Sequence, residues 1–148
     1  MNTLNKDILL ENEITEIITL INTYREEYEV PPITYSSELS IISRDVAINL
    51  LKSNIRKFEY LSNIDNSSLS RNLLFVRYAR NQKMINIKNI INKWYKEEKY
   101  YNFDDETDMK YKNCQNFINL VWEANTKCGI GYSYANGKCS LCIHFSEE

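Results

Sequence analysis

The feature that most constrains this chain is the dipeptide Asn136-Gly137, set between two apolar runs, Cys128 to Tyr134 and Lys138 to Phe145. Asn-Gly accepts the positive φ angles of a tight hairpin turn, so the two runs are expected to pair as antiparallel strands. That turn places Cys142 opposite Gly131 and Cys139 opposite Tyr134, with Cys128 near Phe145.

The segments ahead of the hairpin carry a helical period. Residues 13 to 29 present Ile14, Ile17, Ile18, Ile21, Tyr24 and Tyr28 on one face, and Pro31-Pro32 stops that helix. Ser36 and Ser37 can cap a second helix with Leu39, Ile42, Val46, Leu50 and Leu51 as its apolar stripe, ending near Ser53-Asn54. Asn72 to Tyr78 is apolar enough for a buried strand or a short helix, and periodicity leaves both open. Ile87, Ile90, Ile91, Trp94 and Tyr95 mark a third helix through Tyr101, followed by an acidic loop at Asp104, Asp105, Glu106 and Asp108. Phe117, Leu120, Val121 and Ala124 mark a fourth. The expected fold is α+β: helices packed on a small antiparallel sheet, in one domain over residues 1–148, since 148 residues suffice for one core.

Eighteen basic against twenty acidic residues give a formal charge of -2, which supplies no field for condensation on phosphate backbones, so no nucleic acid partner is expected. Arg71, Arg77, Arg80 and Lys83 read as a solvated face. Met1 to Leu10 holds only three consecutive apolar residues, too few for the apolar region of a signal peptide, and no run approaches the ~20 needed to span a bilayer. A cytoplasmic protein follows as the expectation, with peripheral membrane association open to it and secretion by a non-classical route as the alternative.

The groups that carry chemistry elsewhere are isolated here. Cys139 and Cys142 are three apart on a strand, so they point to opposite faces and cannot grip one metal ion. Neither is placed to form a disulfide with the other or with Cys128, while Cys114 lies on a separate element and could reach one of them. His144 is the sole histidine, so any Ser-His or Cys-His mechanism would have to use it, and a structural role is the simpler reading. Glu97 is one turn from Trp94 and lacks a second carboxylate.

Four blocks resemble the CAP superfamily of cysteine-rich secretory, antigen-five and pathogenesis-related proteins. Ile21-Asn22-Thr23-Tyr24-Arg25 and Val30-Pro31-Pro32-Ile33 are similar to that family's "His-Asn-x-Tyr-Arg" and "Val-Pro-Pro-Leu". Asn72-Leu73 resembles the end of "Gly-Glu-Asn-Leu", and Trp94-Tyr95-Lys96-Glu97 with Tyr101-Asn102-Phe103 resembles "Trp-Tyr-x-Glu" and "Tyr-x-Phe". Asn116-Phe117 to Trp122 stands where the family has "His-Phe-Thr-x-Val-Val-Trp". The resemblance is greatest to the signal-less, Golgi-associated members.

The resemblance implies an α-β-α sandwich with a small central antiparallel sheet flanked by helices. It also implies a cleft where many members carry two His and two Glu able to hold zinc. Carried over, those positions are Phe58, Arg71, Glu97 and Asn116, so one of four is retained and the metal site is degenerate. No metal, cofactor or catalytic residue is therefore expected. The reading is a non-enzymatic protein that binds a protein partner or a phospholipid surface, with homodimerisation open to it. A hydrolase using Glu97 with unrecognised partners is the alternative. An Arg71–Glu97 salt bridge, with Asn116 adding a hydrogen bond, is the expected replacement for the metal.

Overall fold

The computed structural model describes residues 9–52, 69–77, 86–101, 113–135 and 137–147. In chain order these form α1 (Glu11–Glu27), β1 (Thr34–Tyr35), α2 (Ser37–Lys52), β2 (Ser70–Arg77), α3 (Ile87–Tyr95), a 3-10 helix (Lys96–Tyr100), α4 (Gln115–Val121), β3 (Lys127–Ala135) and β4 (Lys138–Ser146). The strands make one sheet in the order β1-β3-β4-β2. The hairpin is at its centre, with Gly137 at φ 73 in the turn and with Gly131 paired to Cys142, Tyr134 to Cys139 and Cys128 to Phe145. Residue 136, the other turn residue, lies outside the described residues. The ambiguous segment after Ser70 is a strand, because β4 offers it an antiparallel edge over its whole length. β1 departs from the antiparallel pattern: it runs parallel to β3 at the edge, through Thr34 N to Thr126 O (3.0 Å) and Ser36 N to Cys128 O (2.8 Å).

Side chains alternate across the pleat, and the two faces of the hairpin are chemically unlike. One face carries Ile130, Tyr132, Leu141, Ile143 and Phe145, which pack on Ile17 and Ile21 of α1, Ile91 and Trp94 of α3, and Leu120 of α4. The other carries Gly129, Gly131, Ser133, Ser140, Cys142 and His144, and α2 covers it. Helix and strand meet there at backbone range: a Cβ on Gly131 would lie 2.1 Å from the Ser43 carbonyl carbon, and one on Gly129 2.3 Å from that of Leu39. Helices on both faces make an α-β-α sandwich.

That close approach corrects the expected stripe of α2. Its buried residues are Ser40, Ser43, Ala47 and Leu50, because only small side chains fit between two backbones so near one another. Of the expected stripe only Leu50 is fully buried, and Ile42 is 41% exposed beside Ile41 at 54%. Ser40 also seals the sheet edge beyond β1 by accepting from Ile130 N (2.9 Å).

The helix ends follow local chemistry. Ser36 Oγ accepts from Leu39 N (3.1 Å) and caps α2. α1 closes one turn before the prolines, with Glu29 at φ 57. α3 tightens into the 3-10 helix rather than running on to Tyr101. α4 stops at Val121, short of Ala124, where Leu120 O and Trp122 O accept from Arg25.

Candidate functional site

Glu97 and Asn116 meet at the junction of the 3-10 helix with the first turn of α4. Glu97 Oε2 accepts from Asn116 Nδ2 (3.0 Å) and Oε1 accepts from the Phe117 amide (3.2 Å). Burial raises the Glu97 carboxyl above its ordinary value, while Asn116 and the Phe117 amide pull it down. An uncapped helix start leaves its first amides without partners, and here the carboxylate of a neighbouring element supplies one. Asn116 is an amide where the resembling family has imidazole, so it donates to the carboxylate and does not compete with it for a cation.

Arg71 does not join this pair. In β2 it stands opposite His144, on the sheet face that carries α2, whereas α4 and the 3-10 helix lie on the other face. The partners of the Glu97 carboxylate are Asn116 and the main chain at Phe117, so the expected Arg71–Glu97 salt bridge gives way to a carboxylate–amide node. Strand alternation accounts for this: the residue facing α4 is the next one, Asn72. Phe58 and the acidic loop at 104–108 lie outside the described residues.

Asn72 begins a buried relay that sequence reasoning did not single out. Its Nδ2 donates to Asn116 O (3.1 Å), its Oδ1 accepts from Asn119 Nδ2 (3.0 Å), and Asn125 Nδ2 donates to Asn119 O (3.0 Å). The relay ends at Arg25, whose guanidinium is fully buried. Nε donates to Pro31 O (2.7 Å), Nη1 to Leu120 O (3.0 Å) and Trp122 O (3.1 Å), and Nη2 to Asn125 O (2.8 Å). Burial lowers the Arg25 pKa, but a guanidinium stays charged, and the carbonyls at the C-terminal end of α4 face it with the negative pole of the helix dipole. Arg25 and Asn72 lie in the motif blocks quoted above. The signal for them was present, but nothing local assigns an asparagine or arginine to the interior.

His144 and Ser43 are both fully buried, with Ser43 Oγ 2.8 Å from Nδ1. The Ser43 hydroxyl also donates to Leu39 O (3.0 Å), so the contact ties β4 to α2, and with both side chains fully buried the pair has no open side from which a substrate could reach it. Cys142 is on the same face as this histidine, 3.5 Å from Nδ1. Cys139 is on the opposite face, the one that carries Tyr132, as the spacing requires. All four cysteines are buried and outside any disulfide.

Among the described residues the donor set does not fit a zinc centre. Such a centre needs three or four protein ligands. Among the described residues no group of three His, Cys, Asp or Glu is placed to share an ion, and both oxygens of Glu97 are already engaged. No helix of the described residues is long and apolar enough to cross a membrane.

The model of the cysteine-rich secretory protein family, CAP, matches residues 18–146. No curated protein sequence matches the chain significantly. Among solved structures, a hookworm platelet inhibitor is 17% identical at a TM-score of 0.67, over 97% of this chain and 73% of its own. Venom allergen-like protein 4 of Schistosoma mansoni is 20% identical at 0.60, over 94% and 93%. An outer surface protein of Borrelia burgdorferi is 10% identical at 0.58, over 96% and 97%. At these identities the likeness is one of fold.

Proposed function

The chain belongs to the CAP family, and from that premise we propose that it is a non-catalytic binding protein in which the family's metal cleft has become a structural joint. The observation that carries this reading is the Glu97 carboxylate, satisfied at both oxygens by Asn116 and Phe117 N. A carboxylate so engaged orders α4 against the 3-10 helix. The partner is a protein or a phospholipid surface, met at the cytoplasmic side of a membrane or in the cytosol. The exposed side chains of Leu10, Tyr35, Ile41 and Ile42 offer apolar surface for either.

Two experiments test this. Zinc titration by calorimetry is expected to give no heat that depends on Glu97, and a site present in the wild type but lost in Glu97→Gln would overturn the degenerate-site reading. Flotation with neutral and anionic liposomes at low and moderate salt then separates the partners: co-flotation supports the lipid surface, and protein left at the bottom supports a protein partner.

A second reading is kept by one observation. Burial pushes the Glu97 carboxyl up, as a general acid requires. A hydrolase of this kind predicts turnover on an ester, peptide or phospholipid substrate that disappears in Glu97→Gln. Inertness across all three substrate classes removes it.

A further inference from the structure

Between the C-terminal end of α1 and α4 there is a recess of about 170 Å³ whose lining includes four aromatic residues, Tyr28, Tyr101, Phe117 and Trp122, together with the acidic Glu123. The rings are set at angles to one another. Tyr28 meets Phe117 at 5.5 Å and 67°, and Tyr101 meets the same Phe117 at 5.8 Å and 59°. Phe117 is buried and forms the floor, while Trp122 is 48% exposed and forms a wall at the mouth. Packing around Phe117 sets these rings at steep angles to one another beside the recess, in edge-to-face and tilted contacts instead of a parallel stack.

Among the described residues the charged side chains at and beside the recess are carboxylates, and the cation behind it, the Arg25 guanidinium on Trp122 O, is engaged by main-chain carbonyls. Tyr28 donates its hydroxyl to Glu98, which keeps the phenol neutral and adds electron density to its ring. Trp122 Nε1 donates to Glu147 (3.0 Å), and Glu123 lines the opening. None of the described residues that line it is basic. Aromatic faces with carboxylates behind them attract cations. The lining is otherwise apolar, so a small, strongly hydrated ammonium would have to shed water without replacement hydrogen bonds, whereas a trimethylammonium group carries its charge on methyl groups that the rings can touch. We infer that this recess is a binding site for a trimethylammonium group. The inference rests on the reading of the chain as a binding protein and not on the Glu97 node, so the zinc and turnover experiments can fail while this one succeeds, and the reverse.

The test uses the full chain and NMR titration of the Trp122 indole signal with choline, with tetramethylammonium, and with 3,3-dimethyl-1-butanol, the neutral carbon analogue of choline. Both cations are expected to shift the signal saturably, and the neutral analogue to bind about fivefold more weakly. Trp122→Leu, followed through the Phe117 amide signal because the indole reporter is gone, keeps an apolar wall on an exposed position and removes the π face, and it should weaken choline by about fivefold. Glu123→Gln, also exposed, should weaken it by about twofold at low salt. Phosphocholine separates two sources of the same group. Affinity equal to choline supports the site with a phosphocholine headgroup as its ligand, and weaker affinity supports it with a free or lysine-borne trimethylammonium. The inference is overturned if the neutral analogue binds as tightly as choline, if Trp122→Leu leaves choline affinity unchanged, or if no saturable shift appears.

Discussion

Among the described residues Arg25 is a buried cation without a carboxylate partner, held by carbonyls of Pro31, Leu120, Trp122 and Asn125. Five donors in a planar fork suit that task, and lysine offers neither the reach nor the geometry. Removing the side chain leaves buried acceptors without partners and a void at the end of α4. Arg25→Ala is therefore expected to lower stability by about 3 kcal/mol or more, read as a fall in the urea midpoint at unchanged slope. Arg25→Lys should recover less than half of that loss. Asn119 is the middle of the asparagine relay, and Asn119→Ala should cost about 1–3 kcal/mol by the same measurement. Glu97→Ala, at a half-buried position, should cost about 1 kcal/mol. A loss at Glu97 equal to that at Arg25 would mean that the node contributes more than the two hydrogen bonds it displays.

At the scale of elements, the contact between α2 and the hairpin decides how the sandwich closes. Gly131 has no room for a methyl group, since the Ser43 carbonyl carbon would be 2.1 Å away, and both neighbours at that point are backbone. Gly131→Ala is expected to push α2 off the sheet and cost about 1–3 kcal/mol, with loss of the Ser43–His144 contact seen as a changed imidazole NMR signal. Ile42→Ser, on the outer side of the same helix, should stay within about 0.5 kcal/mol of the wild type. The sequence pattern places Ile42 in the core stripe of the helix, whereas the structure leaves it 41% exposed. The contrast between the two variants is a direct test of which face of α2 is inside.

For the molecule as a whole, buried thiols give stability an alkaline limit. Burial pushes Cys128 up to about 12 and Cys139 up to about 11, against an ordinary value of 9.0. The unfolded chain therefore releases these protons first, and the native state is favoured below pH 9 and loses that advantage between pH 9 and about 11–12. The urea midpoint should fall across that window, and Cys139→Ser should reduce the slope of the fall. The same burial predicts that native protein at pH 8 reacts slowly with a thiol reagent and reacts at all four cysteines once unfolded. Much of this architecture was legible in the chain. Asn136-Gly137 fixed the hairpin and its register, the prolines and Ser36 bounded two helices, and the motif blocks pointed to the family, since turns, caps and motifs depend on residues close in sequence. The candidate site was half legible. Glu97 and Asn116 could be nominated by position, and their meeting required the 3-10 helix to arrive beside α4. The placement of Arg71 away from them was decided by the pleat of β2 against β4, and the burial of Arg25, Asn72 and Asn119 by packing between elements up to a hundred residues apart. Hydrophobic period tells which residues avoid water when a helix lies on an ordinary core. It misjudged α2 because two glycines brought backbone against backbone, and there volume, not hydrophobicity, selects the buried side chain.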